Sequence, residues 1–485
     1  MGLIYLDNAA TSWPKPRCTV QAMARALEES GANPGRAGHR LSLEAGRIVE
    51  RCRQALAEML GETDASRVAF AQNATDALNM AIHGAVRTGD HVVSTLIEHN
   101  SVLRPLSELA RSGVITLTLV PPDADGRMDA REIERALTAR TRLVAMTHTS
   151  NVLGLEQDVA AVGAVCRRRS VLFLVDAAQT AGHLPLEPKK WGCTMLAMPG
   201  HKGLLGPHGT GALWVADGVT LAPLRQGGTG SASESMFQPR IMPDSLESGT
   251  LNLPGIAGLY AGMRFALAHQ QEARETTAAL CGMMRDALRE MAGVRVYTRA
   301  DASLLSFNVA GIASQVVASA LDEQGIAVRG GLHCAPGVHR FLGTLNIGAV
   351  RVSPGLMNPA AAAGKLIEGA LVLGIFHGGK EGDDGVHLVA KLGHRAGEDV
   401  TGLQALLGGI QRGDAGGEHG AIDDDGSRAV DVGGQRVEAL QRVNVAADVG
   451  KQGHGVGAAG LREAVDGGLR LVGLVGGARH QRVAG

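Results

Sequence analysis

Chemically capable residues gather in six short stretches, most of them placed directly after an apolar run. Asn73-Ala-Thr75 follows residues 67–72 (Arg-Val-Ala-Phe-Ala-Gln) and opens a helical pattern. A helix start offers unpaired N–H groups and the positive end of its dipole, which make a seat for phosphate and equally a plain N-cap. Glu98-His99-Asn100 follows residues 91–96, and Thr149-Ser-Asn151 follows residues 143–147. Taken alone, a strand-end His or a loop Asn is as consistent with a structural role as with a functional one. Asp176-Ala-Ala-Gln179 follows the wholly apolar Val171-Leu-Phe-Leu-Val175. A carboxylate there is costly to bury without a partner, and a protonated ring nitrogen is one such partner. In Pro199-Gly-His-Lys202-Gly the lysine stands between glycines after an apolar stretch. Burial would lower the pKa of its amine and free the lone pair for a Schiff base, although an exposed loop lysine reads the same way. Finally, Arg329-Gly-Gly-Leu-His333-Cys334-Ala-Pro336 sets a Cys beside a His and five residues after an Arg. That is a setting for a low-pKa thiol or for an inert buried one.

Taken together the stretches describe a pyridoxal-phosphate (PLP) site. That cofactor needs an amine, a carboxylate for its pyridine nitrogen, a ring to stack on and a cup for its phosphate. The glycines around Lys202 form neither GxGxxG nor GxxxxGK[ST], so neither nucleotide motif applies.

The elements that must position these residues alternate along the chain. Residues 41–60, 73–83, 101–111, 129–139 and 158–169 read as helices. Residues 67–72, 91–96, 114–120, 143–147 and 171–175 read as strands. This alternation implies an α/β domain around a mainly parallel sheet, whose ligands bind at the carboxyl ends of the strands. From about residue 259 a long helical pattern runs to 292. Strands at 294–297, 304–309 and 327–329 and helices at 314–324 and 359–373 then make a smaller α+β unit.

Composition narrows the class. The 485 residues hold 47 Lys+Arg against 48 Asp+Glu, a formal charge of −1, which disfavours a nucleic-acid binder. Aromatic residues are 3%, too few for a base-stacking surface. No run of 18 apolar residues suggests a membrane span, and the first residues lack a signal-peptide pattern. Six Cys (18, 52, 166, 193, 281 and 334) lie apart without a CxxC pair, which fits a reducing cytoplasm and disfavours a metal site.

The stretches Tyr5-Leu-Asp-Asn-Ala-Ala-Thr-Ser12, Ala32-Asn-Pro-Gly-Arg-Ala-Gly-His39, Asn73–Asn79, Glu98–Asn100, Asp176–Gln179, Gly200–Gly203, Glu247-Ser-Gly-Thr250 and Arg329–Ala335 resemble the class V aminotransferase family, specifically its cysteine desulfurases. The resemblance covers about residues 3–375, and Arg-x-Gly-x-His-Cys-Ala is similar to the SufS-like, group II pattern. It implies a PLP-dependent transferase of fold type I, with a seven-stranded, mainly parallel sheet flanked by helices in the large domain. The implied layout is an N-terminal segment 1–20 packed on the small domain, a PLP-binding domain 21–258 and a small domain 259–375 carrying the catalytic Cys. By resemblance Lys202 would hold PLP, Asp176 would pair with its pyridine nitrogen, and Gln179 would meet the ring hydroxyl with Asn151 nearby. His99 would stack on the ring and pass protons. Ala74, Thr75 and His201 would bind phosphate, and Thr250 would reach the phosphate of the other subunit of a homodimer. Arg351, in Ala349-Val-Arg-Val-Ser353, would clamp the substrate carboxylate, with Arg329 assisting, and Cys334 would be the nucleophile. The implied reaction converts L-cysteine to L-alanine and leaves sulfur on Cys334 as a persulfide, to be passed to an acceptor protein or a small thiol. Selenocysteine lyase, cysteine-sulfinate desulfinase and a non-catalytic sulfur-relay scaffold are the alternatives on the same frame. Two departures stand out. Pro199 replaces a hydroxyl residue on the phosphate side, and Gly330 replaces Ser or Thr, which is expected to loosen the loop bearing Cys334.

Residues 376–485 differ in kind. About 27 of the 67 Gly fall there, with no Pro, Met, Cys, Tyr or Trp. Nearly all the residue types present have codons beginning with G or C, as when a GC-rich gene is read in a shifted frame. Family members end near residue 380, so the segment reads as an unselected, Gly-rich tail unable to bury enough area to order itself. Its His residues (377, 387, 394, 419, 454 and 480) lack metal-ligand spacing. A chain cut after Leu373 is expected to keep PLP binding and desulfuration. Loss of either in an absorbance and sulfide assay of the truncated chain overturns this reading of the tail.

Overall fold

The computed structural model describes residues 3–34 and 38–374, together with two short strands at 431–432 and 435–436. The chain divides into two compact units, Met1–Ala396 and Gly397–Gly485. In the second, Asp431–Val432 pairs antiparallel with Gln435–Arg436. The expectation of a tail without selected function falls on residues that otherwise lie outside those described.

In the first unit the strands are β1 (Ile4–Tyr5), β2 (Val68–Ala71), β3 (His91–Thr95), β4 (Thr116–Val120), β5 (Thr141–Thr147), β6 (Leu172–Asp176), β7 (Met195–Pro199), β8 (Gly211–Val215), β9 (Val294–Val296), β10 (Leu305–Val309), β11 (Ile326–Ala327), β12 (Arg329–Gly331) and β13 (Ala349–Val352). Seven make one sheet in the order β2-β8-β7-β6-β5-β3-β4. The neighbours from β7 through β4 are parallel, and β8 runs antiparallel to both β2 and β7. Strands β2, β7 and β8 are buried throughout, β4 at the edge is not, and the apolar residues split between the two faces with a period of two. Phe173 and Val175 face one core with helices Arg40–Met59, Val159–Arg168 and Leu253–Ala268. Leu174 faces the other, with helices Ala74–Ala85 and Asn100–Arg111. Burying each such side chain contributes about 1.5–3 kcal/mol.

A four-stranded antiparallel sheet, β12-β13-β10-β9, packs with helices Gln270–Glu290, Ser314–Asp322 and Ala361–Gly374 around a third core. The first residues of the chain belong to this core. Leu6 lies fully buried in it, and β1 pairs parallel with β11 through Ile4 and Ile326.

The continuous helix expected over 259–292 is two helices, Leu253–Ala268 and Gln270–Glu290. His269 interrupts them, and its Nδ1 bonds back to the Phe265 carbonyl at 2.9 Å. This helix-ending interaction leaves the apolar period unbroken, which is why the spacing hides it. The expectation that Gly330 loosens its loop is also corrected. Gly330 lies within β12, and a Cβ there would stand 2.5 Å from the Ser314 carbonyl oxygen. Room for a helix, not mobility, accounts for the glycine.

Candidate active site

The sheet delivers the polar stretches to one edge. Asp176 ends β6 and is only 4% exposed. Its Oδ1 accepts from the Ala178 N–H at 2.9 Å. Burial raises its pKa, while the Lys202 ammonium favours its charged form. Lys202 follows β7, and burial, with Arg351 second, lowers its pKa to about 8. Its amine therefore reaches the neutral, nucleophilic state close to neutral pH.

His99 caps the helix Asn100–Arg111. Its Nδ1 accepts from the Ser101 N–H at 3.0 Å and lies 2.5 Å from Ser101 Oγ. The neutral ring then carries its proton on Nε2. Burial and the nearby cations of Lys202, Arg329 and Arg351 push its pKa down to about 4, so the ring is neutral at physiological pH. Ser101 Oγ is also 3.0 Å from Thr75 Oγ1. One hydroxyl thus ties the candidate stacking ring to the candidate phosphate seat, a link for which the sequence reading had named only the two ends.

Ala74 and Thr75 form the first turn of helix Ala74–Ala85, capped by Asn73, whose side chain accepts from the Asp76 N–H at 2.9 Å. Asp76 would oppose an anion there, but Arg225 pairs with its two oxygens at 2.7 and 3.0 Å. His201 stacks on His208 with ring centroids 5.1 Å apart, and its Nδ1 is buried without a partner. Burial and Lys202 lower its pKa to about 4. A buried, unpartnered ring nitrogen beside a helix start and a strand-end acid fits a phosphorylated, basic-ring cofactor.

The N-terminal segment forms a collar around the lysine's backbone. The His201 carbonyl accepts from Ser12 N–H (3.1 Å), Thr11 Oγ1 (3.0 Å), Ser12 Oγ (3.2 Å) and Lys15 Nζ (2.7 Å). Ser12 Oγ also lies 2.9 Å from the Lys202 carbonyl. Gln179, expected at the ring hydroxyl, donates through Nε2 to the Ala9 carbonyl at 3.2 Å.

Beside these groups lies Glu98, fully buried. Its Oε1 accepts from Thr95 Oγ1 at 2.5 Å and the Thr147 N–H at 2.9 Å, and its Oε2 has no partner. Burial pushes its carboxyl up to about 8, with Asp176 adding to the rise, so it is largely protonated at neutral pH.

Cys334 sits on a loop held by the larger sheet. The Asn100 N–H donates to its carbonyl at 2.7 Å, and Asn151 Nδ2 donates to the His333 carbonyl at 2.6 Å. The Asn151 amide, expected near the ring hydroxyl, thus holds the cysteine loop. His333 and Cys334 both occupy the left-handed region, at φ 50° and 56°, which costs non-glycine residues energy and persists only where the surroundings enforce it. The following helix, Pro336–Leu342, is pressed against the His99 loop: a Cβ at Gly337 would stand 2.0 Å from the Leu96 carbonyl oxygen. Cys334 itself is exposed.

Arg351 lies in β13 and is 1% exposed, directly across from Arg329 in β12. Arg329 is exposed. Thr250 stands exposed beyond the apolar Met236 and Phe237, themselves 96% and 82% exposed. Asp7, Ser101, Arg225 and Glu98 were assigned no role from sequence. Asp7 and Glu98 lie inside family-like stretches, and Ser101 is signalled only by its place two residues after His99. Arg225 carries no local signal. No group of acids, His and Cys among the described residues could hold a metal ion.

The model of the aminotransferase class-V family matches residues 4–365. A probable cysteine desulfurase of Methanothermobacter thermautotrophicus is 36% identical over 348 residues, covering 68% of this chain and 84% of that protein. A cysteine desulfurase of Enterobacter sp. is 33% identical over 346 residues, covering 69% and 84%. Among solved structures, a cysteine desulfurase from Thermococcus onnurineus in its apo form superposes with a TM-score of 0.72 at 31% identity, over 77% of this chain and 95% of that one. The cysteine desulfurase CsdA from Escherichia coli, in an S-sulfonic acid form, gives 0.69 at 28% identity, over 76% and 94%.

Exposure separates the thiols. Burial raises the thiol pKa of Cys52, Cys166 and Cys281 to about 12 and raises that of Cys193 as well, while Cys334 is open to solvent. Iodoacetamide at pH 7.5 is expected to alkylate Cys334 well ahead of those four, as read by peptide mapping. Earlier labelling of any of the four contradicts this arrangement.

Proposed function

We infer that this chain, which belongs to the aminotransferase class-V family, is a cysteine desulfurase that uses PLP to release sulfur from L-cysteine as a persulfide on Cys334, with L-alanine as the other product. The observation that carries the reading is an exposed Cys334 on a loop whose backbone is bonded by Asn100, the residue after His99, and by Asn151. Lys202 would hold the cofactor, Asp176 its ring nitrogen, and Ala74, Thr75 and His201 its phosphate. His99 would cover the ring, with Gln179 at its hydroxyl and Asn151 nearby. When bound, PLP supplies an electron sink for the substrate's α-carbon.

The chain's own residues do the rest. The buried guanidinium of Arg351 fits the substrate carboxylate as a bidentate donor, with Arg329 alongside. Lys202 Nζ, with its lowered pKa, takes and returns the α-proton. The Cys334 thiolate attacks the substrate sulfur: the S–S bond forms, the C–S bond breaks, and its electron pair stays with the carbon fragment that becomes alanine. A small thiol or an acceptor protein then meets the persulfide on an exposed loop.

We read the working form as a homodimer in which Thr250 serves the other subunit's phosphate seat. The exposed Met236, Phe237 and Ile241 beside it support that reading, because clustered exposed apolar side chains mark contact surfaces. An active monomer in sedimentation contradicts it. Six unpaired cysteines fit a reducing compartment, here the cytoplasm. No helix among the described residues is long and apolar enough to cross a membrane. The domain reading, with 1–20 serving the small domain, 21–258 the cofactor and 259–375 the nucleophile, belongs to the same proposal.

Cys334→Ala is expected to lower sulfide release from L-cysteine at least about 100-fold while the PLP absorbance band stays. Lys202→Ala is expected to lose that band's borohydride-fixable form. Undiminished sulfide release by Cys334→Ala, or borohydride labelling of another lysine, overturns the assignments.

A further inference from the structure

A buried guanidinium must be paired, and Arg351 has an awkward neighbour. Arg329 stands directly opposite it in the antiparallel β12–β13 pair, where facing side chains project from the same side of the sheet. Like charges so placed repel, and Arg329 is among the groups that lower the pKa of Arg351. The opposing charge comes from the start of the chain: Arg351 Nη2 donates to Asp7 Oδ1 at 2.6 Å. Arg351 Nη1 donates to the Asn151 carbonyl at 3.2 Å, and Nε is buried without a partner. Two of the three nitrogens are therefore tied down by one bond each, and Nε is the nitrogen left wholly without a partner.

The backbone that carries Asp7 is locked to the same strand. Asp7 bridges in parallel to Ser353, Ser353 N–H donates to the Leu6 carbonyl at 2.7 Å, and Asn8 N–H donates to the Ser353 carbonyl at 3.1 Å. Asn8 Nδ2 adds a further bond to that carbonyl at 3.0 Å. The carboxylate is thus fixed in register with Arg351, two residues away along β13. Its side chain keeps 19% exposure, whereas that of Arg351 keeps 1%.

We propose that Asp7 is the positioning residue of the substrate-carboxylate clamp: it holds the Arg351 guanidinium against the repulsion of Arg329 and turns its unpaired Nε–H edge toward the substrate. The proposal rests on the reading that Arg351 receives the carboxylate. Asp7 touches no reacting atom. It sets the plane of a fork whose bidentate fit depends on that plane. Removing its charge frees the guanidinium to swing from Arg329, which weakens binding of carboxylates, while Lys202 feels Asp7 only as the weakest of the charges around it.

The test uses the PLP-loaded full chain with Asp7→Asn, which keeps size and one acceptor oxygen and removes the charge. KM for L-cysteine is expected to rise about tenfold with kcat within about threefold, and the dissociation constant of L-alanine, read by calorimetry, to rise by the same factor. Binding of ethylamine, which has the amine without the carboxylate, is expected to stay unchanged. Equal weakening of L-alanine and ethylamine, or no change in either, overturns the proposal. Asp7→Glu keeps the charge on a longer arm and is expected to lose less than Asp7→Asn; the reverse order also overturns it. Arg351→Lys separates the two readings. If it weakens L-alanine and Asp7→Asn does not, only the role of Asp7 falls. If it leaves L-alanine binding unchanged, the clamp assignment falls with it.

Discussion

The pairing of Arg351 with Asp7 closes the site across 344 residues of sequence, and much of the arrangement follows from the need for it. A guanidinium removed from water requires a counter-charge with good geometry, since an unpaired buried charge costs several kcal/mol. To bring that charge in, the chain's start is threaded along β13 and paired with β11, and its next residues then cross to the large sheet. There Thr11, Ser12 and Lys15 gather on the carbonyls of His201 and Lys202. One segment of about ten residues thus touches both the presumed carboxylate clamp and the main chain of the reactive lysine. The small sheet and the large sheet are aligned through it rather than only through their mutual surface.

The second organising constraint is burial of charge at strand ends. Asp176 and Glu98 are both acids inside the protein, yet they take different states. Asp176 has the Lys202 cation near it, whereas Glu98 has only a hydroxyl and an amide and rises to about 8. Around them the imidazoles of His99 and His201 are held neutral by burial and by the cations of Lys202 and, for His99, Arg329 and Arg351. The result is a pocket in which Lys202 and Glu98 both titrate at about 8, and of the two only the Lys202 amine is a base able to take a proton from carbon.

Much of this was legible in the sequence because buried parallel strands announce themselves. Val171-Leu-Phe-Leu-Val175 reads as a strand, and Asp176 as the polar residue at its carboxyl end, without further help. β7 and β8 were not legible as strands. Met195–Pro199 has no β-branched residue and ends on Pro, and Gly211–Val215 opens on Gly, so local propensity argues against both while pairing in the middle of the sheet overrides it. Most residues named for the site were readable as a set because they lie at or just beyond the ends of elements, Arg351 inside β13 being an exception. Their hydrogen-bond partners were not. Nothing local to Asn151 says that its amide meets the His333 carbonyl, and nothing near Asp7 announces Arg351, because these contacts exist only after distant segments meet. The glycines Gly330 and Gly337 illustrate the same limit: composition suggests looseness, while the cause is the close approach of another backbone.

The distance along the chain between Asp7 and its partners also fixes an order of events during synthesis. Ile4 and Leu6 are made long before Ile326 and Ser353, and must wait for them before they have anything to pair with. At ordinary elongation rates that wait is on the order of tens of seconds, during which β2 through β8 are already complete and able to form their sheet. Contacts so remote in sequence are slow to close, because the intervening loop entropy must be met before they stabilise anything. The nascent large domain thus presents Lys202 and Asp176 before Asp7 has met Arg351, with the apolar Ile4 and Leu6 still unpaired. That strand contact closes only after the large sheet has been made.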